Sequence, residues 1–597
     1  MNTKKSNLYL QPKDKDMKKL EVLYNSKEFY KLKIEANNLI EKYSNISTLH
    51  NILGLALQNL GDRNSAIVNF RKAIEINPKF FFAYNNLGNA FNDLGKYDDA
   101  LFQYQQSIKI KPDYAQAYYN QGCVYRDTYK YNESIERYKQ AIKIKPDYAD
   151  AYTNLGYVLR HVGKLEEAIE NYQKAINFKP NFIEAYSNIF FTLFYFTKDD
   201  PKYYLSQAKK FRSYLKPIDN NLLLKYQFNK TPKKLKIGFV SGDFKQHPVG
   251  FFLLDFLKHL KNKELELFAY SNSNQEDELS IKLKANFTNW YKIADQNDIT
   301  VVNQIRKDGI HILIDLSGHS SKNRLPIFIN KPAPIQMSWA GYPASTGIPE
   351  VDYLIGDSFV TPQNENLHFT EKILRLPNIW VCFSAPDFDI KIRELPAIKN
   401  GYITFGSFNN LSKINDTVIT LWSKILKSIP KSKIFLKTKE LNNAYLKEKI
   451  MNKFKENGVN SNSIILEKGD SRIKLLDSYN KVDIALDPFP YSGGVTSFEA
   501  IWMGVPVLTK KGFKFVSHTT ESINHNSGMS DWIANDKNNY INKAIMFSKS
   551  LKNLSEIRKN LRKKALASPS FNSNLFAEQF GNAVWKIWKK FNSKNSK

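Results

Sequence analysis

Small, apolar and turn-forming residues recur through the first third of the chain at a fixed step of 34. Gly54, Gly88, Gly122 and Gly156 keep this step, and so do Pro78, Pro112, Pro146 and Pro180. Ala66, Ala100, Ser134 and Ala168 hold a third phase, Ala73, Ser107, Ala141 and Ala175 a fourth, and the aromatics Phe70, Tyr104, Tyr138 and Tyr172 a fifth. Phases kept over four units predict a stacked repeat array over 47–80, 81–114, 115–148 and 149–182. A degenerate unit is expected within 1–46, and the pattern fades after Ile183, where Phe190 takes the glycine's place. The array is therefore assigned to 47–190, and 191–232, with Pro201, Pro217 and Pro232, to a helical linker.

From Leu235 the period is replaced by short apolar runs alternating with helically spaced stretches. LKIGFVSGDF, LELFAYSNS, HILIDLSGH and VDYLIGD read as strands, and HPVGFFLLDFLKHL and ITVVNQIRKDG as helices. The alternation resumes near Tyr402 with ITFGSFNNLSKI, LWSKILKSIP, KIFLKT and SIILEKG, and closes on the amphipathic NLFAEQFGNAVWKIWKKF. Two such halves, 233–395 and 396–597, predict two doubly wound α/β lobes with a cleft between them.

The most informative stretch is KVDIALDPFPYSGGVTSFEAIWMGVPVLT, from Lys481 to Thr509. It reads as strand, glycine turn, helix and strand. Gly493 and Gly494 free the backbone for a tight turn, and the helix behind them offers unpaired N–H groups and a positive dipole end to a diphosphate. Thr496 and Ser497 add hydroxyls, and Glu499, one turn in, is placed to accept from ribose hydroxyls. Val495 lies in the same turn. Other candidates sit beside predicted strands: His247 in GDFKQHPVGFF, His311 and His319 flanking ILIDLSG, Asn410 at the end of ITFGSFNN and Lys413 in the loop after it. His247, His311, His319 and Lys413 are together read as lying in strand-to-helix loops at the carboxyl ends of strands, where doubly wound sheets present ligands.

Composition narrows the choice. The formal charge of +29 invites a nucleic-acid reading, but only 13 of the 87 basic residues are arginine and the lysines are spread along the chain. A phosphate-reading face would concentrate arginine, so nucleic acid is not expected as a partner. Two distant cysteines, Cys123 and Cys382, suit a reducing cytoplasm, and the longest apolar run, 189–196, is too short to span a membrane.

The array resembles the tetratricopeptide repeat (TPR), which implies helix pairs wound into a superhelix with a concave groove. Asn86, Asn120, Asn154 and Asn188 share one repeat position, and if it faces the groove they form an amide ladder for the backbone of a protein acceptor. The repeats followed by GDFKQHPVGFF, DGIHILIDLSGH, KPAPIQMSWAGYPASTG, FGSFNNLSKI and DPFPYSGGVTSFEAIWMGVPVLT resemble, in that order, the protein O-GlcNAc transferase family and its SPINDLY-like branch. The resemblance implies an α plus α/β chain, a TPR superhelix before two Rossmann-like lobes of the GT-B type. It implies a metal-independent, inverting glycosyltransferase that needs no cofactor beyond its nucleotide-sugar co-substrate. UDP-GlcNAc ranks first as donor and GDP-fucose second, with Ser/Thr of TPR-bound proteins as acceptors.

The same resemblance gives His247 and His311 catalytic places and sets Lys413 on the donor diphosphate. Gly341, Tyr342 and Pro343 would lie beside the sugar, and Asn410, Gly493, Gly494, Val495, Thr496 and Glu499 around the donor. Leu475, Val495 and His518-Thr519-Thr520 depart from the family pattern, all in the donor lobe. A catalytically silent scaffold, and transfer to glycans or lipid-linked acceptors, are the competing readings.

Overall fold

The computed structural model describes residues 12–196, 200–225, 227–260 and 264–595. Within the array each repeat is a helix pair: Ser47–Asn59 with Arg63–Ile76, Phe81–Asp93 with Tyr97–Ile110, Ala115–Asp127 with Tyr131–Ile144, and Ala149–His161 with Leu165–Phe178. The pair Asp14–Asn25 and Phe29–Lys42 precedes them. The glycine and aromatic phases turn out to be one contact. A Cβ on Gly54 would lie 2.5 Å from the Phe70 ring, and one on Gly88, Gly122 or Gly156 2.6 Å from Tyr104, Tyr138 or Tyr172. Each glycine thus lets the second helix lay its ring flat on the first. The turn between the two helices takes a left-handed residue at Gly61, Gly95 and Gly163; the third repeat puts Tyr129 there, at φ 60°.

Two compact units divide between Lys179 and Pro180, so the array closes before residue 190. The next helix pair, Ile183–Leu193 and Pro201–Tyr214, belongs to the unit of the lobes. Its packing inverts the repeat contact. Phe190 stands at the glycine phase, Ser206 stands at the aromatic phase, and the Phe190 ring is buried against Tyr204, Phe211 and His319. The stretch expected as a linker is instead a brace. The Arg212 guanidinium pairs with Glu350, and the Tyr204 hydroxyl donates to the Ser345 carbonyl at 2.5 Å.

Among the described residues the first lobe carries seven strands, β1 Leu235–Ser241, β2 Leu265–Ser271, β3 Asn289–Lys292, β4 Ile312–Asp315, β5 Ile335–Ser338, β6 Tyr353–Gly356 and β7 Lys372–Arg375. They lie in the order β3-β2-β1-β4-β5-β6-β7, all parallel. The second carries β8 Thr404–Ser407, β9 Lys433–Thr438, β10 Ile464–Lys468, β11 Ile484–Leu486, β12 Val507–Lys510 and β13 Ile533–Ala534, parallel in the order β10-β9-β8-β11-β12-β13. In each sheet the order reverses at one point, between β1 and β4 and between β8 and β11. Loops leaving the carboxyl ends there part to either side and leave a crevice.

The last helix, Ser573–Asn595, falls within the stretch assigned to the second lobe, but packs on the first. Its Phe576 and Phe580 rings meet Phe256 at 5.2 and 5.1 Å, because the apolar stripe of the helix fits the face of the helix Pro248–Leu260. No helix among the described residues is long and apolar enough to cross a membrane.

Candidate functional site

The glycine turn after β11 is built from the carboxylate outward. Asp487, buried at the strand's end, accepts from the Gly493 amide at 2.6 Å and from the Thr509 hydroxyl at 2.7 Å. Burial pushes its carboxyl up to about 6 against these bonds and the nearby Lys413 charge. A Cβ on Gly493 would lie 2.2 Å from Ser497 Oγ and 2.9 Å from Asp487 Oδ1, so a side chain here would displace both, whereas one on Gly494 would meet open space. Gly494 caps the helix Val495–Trp502, whose Val495 and Thr496 amides begin the helix and have no intrahelical acceptor. The hydroxyls expected to serve phosphate are directed into the protein: Thr496 donates to Asn409 Oδ1 at 3.1 Å, and Ser497 bonds Thr520 Oγ1 at 2.9 Å.

Lys413 ends a short 3-10 turn, Leu411–Lys413, after β8. Asn410, expected at the donor, caps that turn by accepting from the Ser412 amide at 2.9 Å. The Lys413 ammonium donates to the Ser492 carbonyl at 2.9 Å and lies 3.8 Å from the centroid of the Tyr491 ring. Burial lowers its pKa to about 8, with Asp487 opposing the shift. A cation and a helix N-terminus therefore meet at one edge of the second sheet.

Glu499 is buried, and burial raises its carboxyl to about 7 despite Arg472, whose Nη2 lies 3.3 Å from Oε1. Arg472, in the helix Arg472–Ser478, also stacks on the Phe251 ring at 3.6 Å. Phe251 lies one turn into the helix that begins beside His247. Sequence reasoning missed Arg472, Asp487, Asn409 and Tyr491. Only Asp487 had a signal, as the single carboxylate between a buried strand and a glycine turn.

In the first lobe His247 lies beyond the carboxyl end of β1, partly exposed, with its carbonyl accepting from Phe251 N. Nδ1 lies 3.4 Å from the Val249 amide and 3.7 Å from Asp243 Oδ2; burial lowers its pKa. His311 is a correction. It precedes β4, at the amino end of the sheet, where Nδ1 accepts from the Lys236 amide at 2.9 Å and the ring packs 4.7 Å from Trp588. A residue one place before a parallel strand lies at the edge away from the crevice, so His311 is structural. His319 does follow β4, but is buried against Phe190 and Tyr342 with Nε2 2.8 Å from the Thr346 carbonyl.

The loop Gly341-Tyr342-Pro343 follows β5, and its one large side chain is spent on packing. Tyr342 is 2% exposed, with its hydroxyl 2.9 Å from that of Tyr204. Gly341 leaves no room for a Cβ against the Leu316 carbonyl.

Of the family departures, Leu475 is partly buried against the core. His518 makes an ion cluster between the lobes. Its Nδ1 lies 2.6 Å from Glu521 Oε2 and its Nε2 3.1 Å from Glu365 Oε1 in the first lobe. The two carboxylates overcome burial and raise the imidazole to about 9. Ser522, one residue after Glu521, donates to Asp357 Oδ2 of the first lobe at 2.6 Å. The helix Phe515–Asn526, which carries His518, Glu521 and Ser522, therefore fastens the lobes together.

In the array the amide ladder is largely self-engaged. Asn86 Nδ2 donates to Asn51 Oδ1 at 2.9 Å, Asn120 Nδ2 to Asn85 and Asn89 at 2.9 and 3.0 Å, and Asn154 Nδ2 to the Tyr119 hydroxyl at 2.8 Å. These donors face the preceding repeat, because a 34-residue step sets each asparagine beside residue 35 positions earlier. Asn188 lies in the other compact unit, and its carbonyl accepts from Thr192. Among the described residues no group of three or more His, Cys, Asp or Glu side chains is gathered as for a metal ion.

The profile described as glycosyl transferase family 41 matches residues 218–388 and 387–580, and tetratricopeptide-repeat profiles match segments between 47 and 182. The protein of Hordeum vulgare named probable UDP-N-acetylglucosamine–peptide N-acetylglucosaminyltransferase SPINDLY is 31% identical over 364 residues, 60% of this chain and 39% of its own length. The Arabidopsis thaliana protein of that description named SEC is 26% identical over 369 residues, 60% of this chain and 37% of its own. The chain thus spans about two fifths of the length of these relatives. A solved structure of a mutant O-GlcNAc transferase from Thermobaculum terrenum is similar with a TM-score of 0.78 and 28% identity, covering 86% of this chain and 98% of that one.

Proposed function

The chain belongs to glycosyltransferase family 41, and we propose from that membership that it transfers a sugar from a nucleotide diphosphate donor to serine or threonine hydroxyls of proteins. The observation that carries this reading is the convergence of Lys413 and the amino end of helix Val495–Trp502 on one turn. In the reaction the acceptor oxygen bonds to the anomeric carbon from the face opposite the leaving group, the bond to the diphosphate oxygen breaks, and the sugar inverts. The departing diphosphate takes the electron pair. Lys413 and the Val495 and Thr496 amides stabilise it, the service a metal gives in other transferases. Glu499 takes the ribose.

The hydroxyl proton is handled at His247, whose lowered pKa keeps it neutral near neutral pH. With Nδ1 accepting from the Val249 amide, the ring carries its proton on Nε2 and only holds the acceptor by donating to it, and the hydroxyl proton passes to the departing diphosphate. With the proton on Nδ1 toward Asp243, Nε2 is free to act as base. UDP-GlcNAc is the preferred donor, supported by the names of the SPINDLY and SEC proteins, with the sugar alone supported by that of the Thermobaculum terrenum O-GlcNAc transferase. GDP-fucose is the runner-up, since Leu475, Val495 and His518 alter the donor lobe. Proteins bound by the repeats are the acceptors, and the cytoplasm is the expected compartment.

Incubation with radiolabelled UDP-GlcNAc and GDP-fucose, followed by separation of protein from glycan, tests the reading. Label on protein supports it. Label only on glycans shows the wrong acceptor class, and no turnover shows a scaffold.

A further inference from the structure

One stretch outside either sheet reaches the diphosphate lysine. The helix Ile183–Leu193 and the residues just after it are tied to the donor lobe in three ways. The rings of Phe194 and Tyr195 pack on Tyr491 at 5.7 and 5.5 Å, with Phe191 at 6.2 Å. Ser412, next to Lys413, donates to the Tyr195 hydroxyl at 3.2 Å. Lys514 donates to the Leu193 and Phe196 carbonyls at 3.2 and 3.0 Å, closing the helix's carboxyl end.

Tyr491 is therefore clasped by aromatics on one side and meets the Lys413 ammonium on another, 3.8 Å from its centroid. The next residue supplies the carbonyl that accepts from the same ammonium. A ring face suits a cation that must later bind a diphosphate. Its quadrupole attracts the charge, and unlike a paired carboxylate it neither neutralises the lysine nor competes with the incoming anion.

We propose that Tyr491 is a positioning residue for Lys413, and that the segment 191–195 holds the Tyr491 ring in place, so that chain outside both lobes completes the diphosphate site. The inference rests on the donor reading of that site, but it can be tested without a donor. Trace acetylation across a pH series, read at Lys413 by peptide mass spectrometry, follows the titration of this amine in the free protein. Removing the ring in Tyr491→Leu removes an interaction that favours the charged form. The midpoint should move to lower pH, with labelling near neutral pH about three- to ten-fold faster.

Tyr491→Phe, which keeps the ring, should restore the parent midpoint. Phe194→Leu, which leaves Tyr491 and Lys413 unchanged, should shift it in the same direction as Tyr491→Leu, and serves if Tyr491→Leu fails to fold. Nucleotide-sugar binding should weaken in step, by about three- to ten-fold. A parent-like Lys413 midpoint in both Tyr491→Leu and Phe194→Leu, or a shift that Tyr491→Phe does not reverse, overturns the inference. Failure of the parent itself to bind any nucleotide sugar overturns the donor reading instead.

Discussion

Affinity for the donor should follow a bell-shaped pH profile set by two buried groups of opposite charge. On the proposed reading Glu499 accepts ribose hydroxyls, most strongly when ionised, and burial raises its carboxyl to about 7. Lys413 must be protonated to meet the diphosphate, and burial sets it at about 8. Apparent affinity scales with the fraction of protein in the competent form. At pH 6 about one Glu499 in eleven is ionised, and at pH 9 about one Lys413 in eleven is protonated, so binding at each extreme should be about sixfold weaker than at the optimum. The optimum lies between about 7 and 8, where roughly half of the molecules are competent.

The assay is calorimetry with an intact nucleotide sugar, whose phosphate diesters do not titrate in this window, so the limbs belong to the protein. Glu499→Gln should flatten the acid limb and weaken binding about tenfold at the optimum, because an uncharged amide accepts less strongly and leaves Arg472 without its carboxylate. Lys413→Met should flatten the alkaline limb. A parent profile flat within about twofold from pH 6 to 9, or an acid limb that survives Glu499→Gln, refutes the assignment of charges.

Three further outcomes are expected. The His518 imidazole is held at about 9, above its ordinary 6.5, so its stabilisation is complete below 6.5 and is lost as pH rises through 9. Thermal unfolding across that range should show a decline worth on the order of 3 kcal/mol, flattened in His518→Gln. Changing Asn86, Asn120 and Asn154 together to Ala removes bonds between repeats and should destabilise the array by about 1 kcal/mol per site, with protein acceptors weakened and nucleotide binding unchanged. Unaltered urea unfolding would show these bonds to be idle. Tyr129→Gly relieves a left-handed residue where the other repeats use glycine, and should stabilise the array by about 0.5–1 kcal/mol in the same measurement.

The array was legible because glycine and ring must keep one phase for the helices to touch, and a 34-residue step records that contact directly. The two sheets were legible because strands buried on both faces are unbroken apolar runs. Lys413, His247 and the Gly493–Thr496 turn could be placed because each follows such a run, at the edge where the crevice opens. His311 was misassigned by ignoring strand polarity: it lies before its strand, as the lone residue ahead of ILID shows. Tyr342 and Ser497 carry groups suited to a ligand, yet their partners, Tyr204 and Thr520, come from distant segments and use those groups up. The pairing of Glu499 with Arg472 and the brace at 183–214 were hidden for the same reason. Such contacts are made between elements that no local period connects.

The central claim is transfer to protein that depends on Lys413, and intact-mass spectrometry of an acceptor tests it most directly. Parent protein, supplied with UDP-GlcNAc or GDP-fucose and a soluble protein extract, should add the mass of whole sugar residues to proteins at Ser or Thr. Lys413→Met, folded to the same melting temperature, should add none. Equal addition by the parent and by Lys413→Met, or release of free sugar with no protein gaining mass, would contradict the account.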